Sequence, residues 1–155
     1  MAADHRTLQT LAEEGRVEEL LRGVSFDTVI ETWLRYQRTD HDGEDPDDDP
    51  DWWAVELWFS PAWWSDEGRV RDGLLRLIET AGQEEFGVGA AGPLEVFLCD
   101  DESRLAWVER RAAESEKFRR ALAQVWVWDL STDALGRLER AAGRPPPTTR
   151  SLTRR

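Results

Sequence analysis

Four carboxylates fall within six residues at Asp40, Asp42, Glu44 and Asp45, at the start of the stretch DHDGEDPDDDPD (residues 40–51). Side-chain oxygens at such close spacing are what a calcium loop uses. The order does not suit the ion. Gly43 comes too early for a D-x-D-x-D-G loop, two prolines interrupt the segment, and the distal bidentate glutamate is missing at its offset. No metal ligand is therefore assigned. Histidine chemistry has little support either. His5 lies near the start of the chain, and His41 lies between Asp40 and Asp42, where an acidic loop without a pocket is a poor place for a general base. Cys99 follows the apolar run Val96-Phe97-Leu98 with no histidine nearby and reads as a buried structural thiol. Residues 87–92 (GVGAAG) match G-x-G-x-x-G, but the polar Gln83-Glu84-Glu85 precedes them where a dinucleotide site needs a strand. These small residues read instead as a place where two helices approach closely. No serine elbow, H-E-x-x-H, phosphate loop or Cys–His metal spacing occurs. No catalytic residue and no cofactor is expected.

What the acidic stretch is suited to is attraction of a basic surface, and tryptophan follows it at once. Five of the nine tryptophans lie between Trp52 and Trp64. On a continuous helix Trp52, Phe59 and Trp63 share one face, and Trp53, Leu57 and Trp64 share the next. Both faces are hard to bury in a chain of this size: one reading puts Trp53, Trp58 and also Trp64 in the core, and the other leaves one or two of the cluster, with Trp128, as exposed anchors. Tryptophan anchors interfaces, and neighbouring acids steer association. The expected partner-binding residues are Asp42, Glu44, Asp45, Asp47, Asp48, Asp49, Trp52, Trp63, Trp64 and Trp128.

Apolar residues recur at helical spacing through most of the chain. Leu8, Leu11 and Ala12, then Val17, Leu20 and Leu21, form stripes broken near Gly15. Ser25 is an N-cap for Phe26, Val29, Ile30, Trp33 and Leu34. Asp51 caps the segment Trp52–Phe59, Ser60-Pro61 starts another helix, and Ser65 starts a third through Val70, Leu74, Leu77 and Ile78. Pro93 opens a segment through Cys99 that is either a helix or a short strand. Leu105, Val108 and Ala112 mark one helix, and Phe118, Ala121, Leu122, Val125 and Trp126 mark another. Ser131 caps the last, which Gly143 ends. The expected fold is all-α: a single-domain bundle or irregular stack of about eight short helices over residues 1–143, with a loop at 39–51 and a basic, proline-rich flexible tail at 144–155.

Three markers run through this pattern: Trp53-Ala54-Val55-Glu56, Ala90-Ala91-Gly92-Pro93-Leu94-Glu95, and Phe118-Arg119-Arg120-Ala121-Leu122 followed by Val125-Trp126. Over roughly residues 29–142 the chain resembles an uncharacterised bacterial family of small helical proteins, a domain of unknown function. The resemblance implies a helical fold and a bacterial source, and it brings no catalytic residues.

Charge narrows the partner. Formal net charge is -12, with 32 acidic and 20 basic residues. Arg144, Arg150, Arg154 and Arg155 stand in a tail without acids, so the rest sets 16 basic against 32 acidic residues. Such a body repels phosphate backbones and attracts basic protein surfaces. Nucleic acid is not an expected partner; a basic protein is. No run reaches the roughly 18 apolar residues of a membrane span. One cysteine allows no internal disulfide, and the polar first residues lack a secretory pattern, so the cytoplasm is expected. The leading expectation is a non-enzymatic binding protein, an immunity- or antitoxin-like inhibitor of a basic partner. A carboxylate- or metal-dependent enzyme and a cargo or scaffold component addressed by its tail remain alternatives.

Overall fold

The computed structural model describes residues 4–39, 41 and 45–143, excepting the side chains of Asp47 and Val88. Asp42, Glu44 and the tail at 144–155 lie outside the described residues. The described residues hold ten α-helices and no strand, as the apolar spacing predicts. They gather into two compact units, Met1–Thr80 and Ala81–Arg155, taken in turn.

The first unit contains α1 (His5–Glu13), α2 (Val17–Gly23), α3 (Phe26–Arg38), α4 (Trp52–Phe59), α5 (Pro61–Trp64) and α6 (Glu67–Thr80). α1 packs on α4, and α3 packs on α4 and α6. Local chemistry places most of the boundaries. Asp4 and Ser25 accept the amides of Thr7 and Thr28, and Ser60 accepts that of Trp63, with Pro61 at the first helical position. Gly15 turns the chain between α1 and α2 at φ 66°. Two expected starts differ in detail. Asp51 precedes α4 but makes no side-chain cap, because its carboxylate is engaged by Arg35. The α6 amide of Arg69 is accepted by Asp66, while the Ser65 hydroxyl donates back to Ala62 O at 2.7 Å and stays with the preceding turn.

The core of this unit is a chain of aromatic rings. Phe26 stacks on Trp63 at 5.4 Å, Trp63 meets Trp58 at 5.2 Å, and Trp58 stacks on Trp33 at 5.9 Å. α4 is apolar around most of its circumference and is buried accordingly, at Trp53, Ala54, Val55, Leu57 and Trp58. Gly73 on α6 makes room for the rings: a Cβ there would lie 3.1 Å from Trp58 and 3.3 Å from Trp63.

The second unit contains α7 (Ala91–Asp100), α8 (Leu105–Glu114), α9 (Glu116–Leu122) and α10 (Thr132–Ala142). α8 packs against α9 and α10, and α7 contacts α9. Ser115 and Ser131 cap α9 and α10, and Gly143 ends α10 in the left-handed conformation at φ 72°. Val96-Phe97-Leu98-Cys99 is helix, which settles the choice between helix and strand. Pro93 is the third residue of α7, in its first turn, where proline is tolerated. Residues 86–90 form one π turn leading into α7. At Gly87 and Gly92 an added Cβ would meet nothing within 4 Å, so close helix approach does not explain those two glycines.

Candidate partner-binding surface

The acidic loop and the tryptophans after it largely serve the fold. Arg35 on α3 grips Asp51 with two hydrogen bonds of 2.6 Å, the fork geometry a guanidinium offers a carboxylate. Asp49 accepts the Asp51 amide at 2.8 Å and lies 3.2 Å from Nδ1 of His41. His41 stacks on Tyr36 with centroids 3.9 Å apart, and its Nε2 is 2.7 Å from the Tyr36 carbonyl. The histidine thus fastens the loop to the end of α3. Burial, with Asp49 adding to it, pushes the Tyr36 phenol above its ordinary value. Of the expected acidic strip, Asp45 and Asp48 are exposed, whereas Asp49 is turned inward.

Trp63 is a correction. It is fully buried, with 0 % of its surface exposed, and cannot anchor a partner. The helical face predicted for it assumed an unbroken helix from Trp52. Ser60, with ψ at 140°, breaks that helix and swings Trp63 onto Phe26 and Trp58. Trp64 is half-buried, and its indole N–H donates to Trp58 O at 2.8 Å, satisfying a carbonyl in the last turn of α4. Trp52 is half-buried beside Tyr36 and donates to Glu56 at 3.0 Å. Trp53 and Trp58 are core.

The exposed indoles lie in the second unit. Among the described residues the exposed large hydrophobic side chains are Phe59, Trp126 and Trp128, the last two 52 % and 51 % exposed. Trp126 was expected to face inward on a helix. α9 instead ends at Leu122, and burial then alternates: Val125 and Val127 in, Trp126 and Trp128 out. Alternation of that kind belongs to an extended chain. The Val-Trp-Val-Trp pattern carried the signal in the sequence.

One face of α7 and the start of the next turn hold this segment. Glu95 accepts the Trp126 amide at 2.6 Å, and Glu102 accepts both the amide and the hydroxyl of Ser131. The Glu95 bond ties the extended chain to α7 at Trp126, and both indoles lie on its exposed side. Asp129 then turns the chain at φ 58°, a conformation that aspartate adopts more readily than most residues other than glycine. Burial raises the Glu95 carboxyl above its ordinary value, an effect the Trp126 amide partly offsets. Burial likewise raises the half-buried Cys99 thiol, which favours the uncharged form.

The segments that carry and support the indoles are acidic in sequence, with Arg137 of α10 close enough to Asp133 and Glu102 to feel their charge. Residues 93–103 and 125–133 contain Glu95, Asp100, Asp101, Glu102, Asp129 and Asp133 and no lysine or arginine. Arg104, just beyond, is buried and bonded to Asp100 at 2.9 Å and to Phe97 O. Elsewhere in this unit a groove of about 600 Å³ is lined by residues of mixed charge, including Glu84, Glu116, Arg119 and Arg120. Arg120 is bonded to Glu116 and Arg119 to Ala112 O. No group of three His, Cys, Asp or Glu side chains that could hold a metal ion exists among the described residues. No helix among them is long and apolar enough to cross a membrane.

Residues 41–145 match a family of unknown function, DUF6869. The chain belongs to that family. The match covers α4 to α10 and includes both the loop fastened by His41 and the segment bearing Trp126 and Trp128. No curated protein and no solved structure matches the chain.

Proposed function

We propose that this protein is a non-enzymatic binding module that holds a basic partner protein, acting in the cytoplasm. The observation that carries the reading is the pair of half-exposed indoles, Trp126 and Trp128, held side by side on a bonded segment and bordered by carboxylates. A soluble domain gains nothing from two adjacent tryptophans facing water, whereas an interface gains large apolar anchors. Net charge of -12 supports the same reading, because it accelerates encounter with a cationic surface and disfavours anionic ones. Asp45 and Asp48, exposed on the first unit, add to that field. An immunity- or antitoxin-like inhibitor is the form of module we favour: one whose partner loses activity when its basic surface is covered.

The test begins with a partner captured by the full-length chain from the cells that produce it and then purified. Its dissociation constant should rise at least tenfold between 0.05 and 0.5 M salt, and its own activity should fall when the complex forms. A partner without a basic surface, or an association indifferent to salt, refutes the reading. Binding with undiminished partner activity refutes the inhibitor form alone.

A further inference from the structure

We infer that the Trp126/Trp128 face takes an extended, cationic segment of the partner, with arginine or lysine side chains at alternate positions seated on the two indoles. The inference rests on the reading of a basic partner and says which part of it is held, and how. Trp126 and Trp128 are two residues apart on an extended chain, so their indoles repeat at about 6.6 Å. Alternate side chains of an extended peptide repeat at the same interval. A cation over an indole face is attracted by the ring's negative quadrupole, and tryptophan is the strongest of the aromatic acceptors. The chain beside the face supplies the opposite charge: Asp129 follows Trp128 directly, and Asp101 follows the last residue of the helix on which the segment lies. Within unit 2 the chain already pairs a guanidinium with a ring in this way, Arg104 over Phe97 at 4.7 Å and Arg111 over Trp107 at 5.8 Å. The platform is fixed before binding. The Glu95 bond to the Trp126 amide and the Glu102 bonds to Ser131 hold the segment at both ends, so little backbone order remains to be lost.

The test uses the full-length protein and three capped six-residue peptides: alternating arginine and threonine, the same residues with the three arginines contiguous, and alternating glutamate and threonine. Calorimetry should find the alternating arginine peptide bound severalfold more tightly than the contiguous one, and the glutamate peptide unbound. Trp126→Ala with Trp128→Ala should weaken the first at least tenfold. Should that double variant fail to fold, the indole N–H resonances of the unaltered protein decide: those of Trp126 and Trp128 should shift most on titration. Equal binding of the two arginine peptides, or shifts centred on other tryptophans, overturns the inference. So does a shift of the Trp126 and Trp128 signals on replacing Arg144, Arg150, Arg154 and Arg155 by glutamine, which would make the chain's own tail the occupant. A shift of those signals on dilution would point to a second copy and overturn it as well. If a basic partner is captured with salt-sensitive affinity but its release is unchanged by the double substitution, this docking mode fails while the reading of a basic partner stands. If no basic partner is captured, that reading fails, and this inference with it.

Discussion

Gly73 and Trp126 show what single side chains do here, one inside and one outside. A Cβ at Gly73 would press on Trp58, Trp63 and Phe26 at 3.1 to 3.4 Å, and both indoles are fully buried. Gly73→Ala gains helix propensity yet should lose about 1–3 kcal/mol to overpacking, read from urea unfolding midpoints. Trp58→Ala should cost about 3–5 kcal/mol by the same measurement, because it empties the middle of the ring chain. Trp126→Ala and Trp128→Ala should cost about 1 kcal/mol or less each, since half of each indole is already in water. A loss near that of Trp58→Ala would make them structural and remove them from any interface. The residue types alone did not separate these cases. Trp63 and Trp128 are alike as residue types; the break at Ser60, which the sequence marks, and the end of α9 at Leu122, which it does not, decide which indole is covered.

At the scale of elements, the boundaries that local chemistry sets were legible and those set by distant partners were not. Ser25, Ser60-Pro61, Ser131 and Gly143 act within four residues of themselves, and each stands where its residue type predicts. Asp51 reads as a cap by the same logic, yet Arg35, sixteen residues away, takes its carboxylate. Val125 and Trp126 read as the end of a helix by spacing, yet α9 stops at Leu122 and Glu95 on α7 binds the Trp126 amide from 31 residues away. Ser131→Ala should therefore cost more than an ordinary cap, about 1–2 kcal/mol, because the hydroxyl also donates to Glu102. Glu95 makes a pH prediction. Its folded value is raised above the ordinary 4.5, so folding takes up a proton between the two values. The stability it contributes is full below 4.5 and is lost as pH rises through the folded value. Glu95→Gln keeps an oxygen for the Trp126 amide without the charge. Its melting temperature relative to the parent should rise between pH 4 and pH 7, and a constant difference across that range would contradict the assignment. The Glu109–Arg137 pair, bonded at 2.6 and 2.8 Å between α8 and α10, works in the opposite sense. Arg137 lowers the Glu109 value, so that contribution is present above the ordinary carboxylate value and is lost as pH falls through the folded one.

For the whole chain, the all-α class and the acidic balance were readable from spacing and composition, while the exposed aromatic surface was read only at Trp128, with Trp126 placed on a helix stripe. Eight acids at residues 40–51 adjoin five tryptophans at residues 52–64. Much of that density is consumed internally, by His41, Arg35 and the ring chain, and the indoles left facing water lie instead at Trp126 and Trp128. The most direct measurement is a paired capture. The full-length chain and its W126A/W128A variant, shown by circular dichroism to be equally folded, are immobilised side by side and exposed to extract of the cells that produce the protein. A basic protein retained by the first at 0.1 M salt, released at 0.5 M, and missing from the second is the predicted result. Equal retention on both surfaces, or retention of no basic protein at all, would contradict the account.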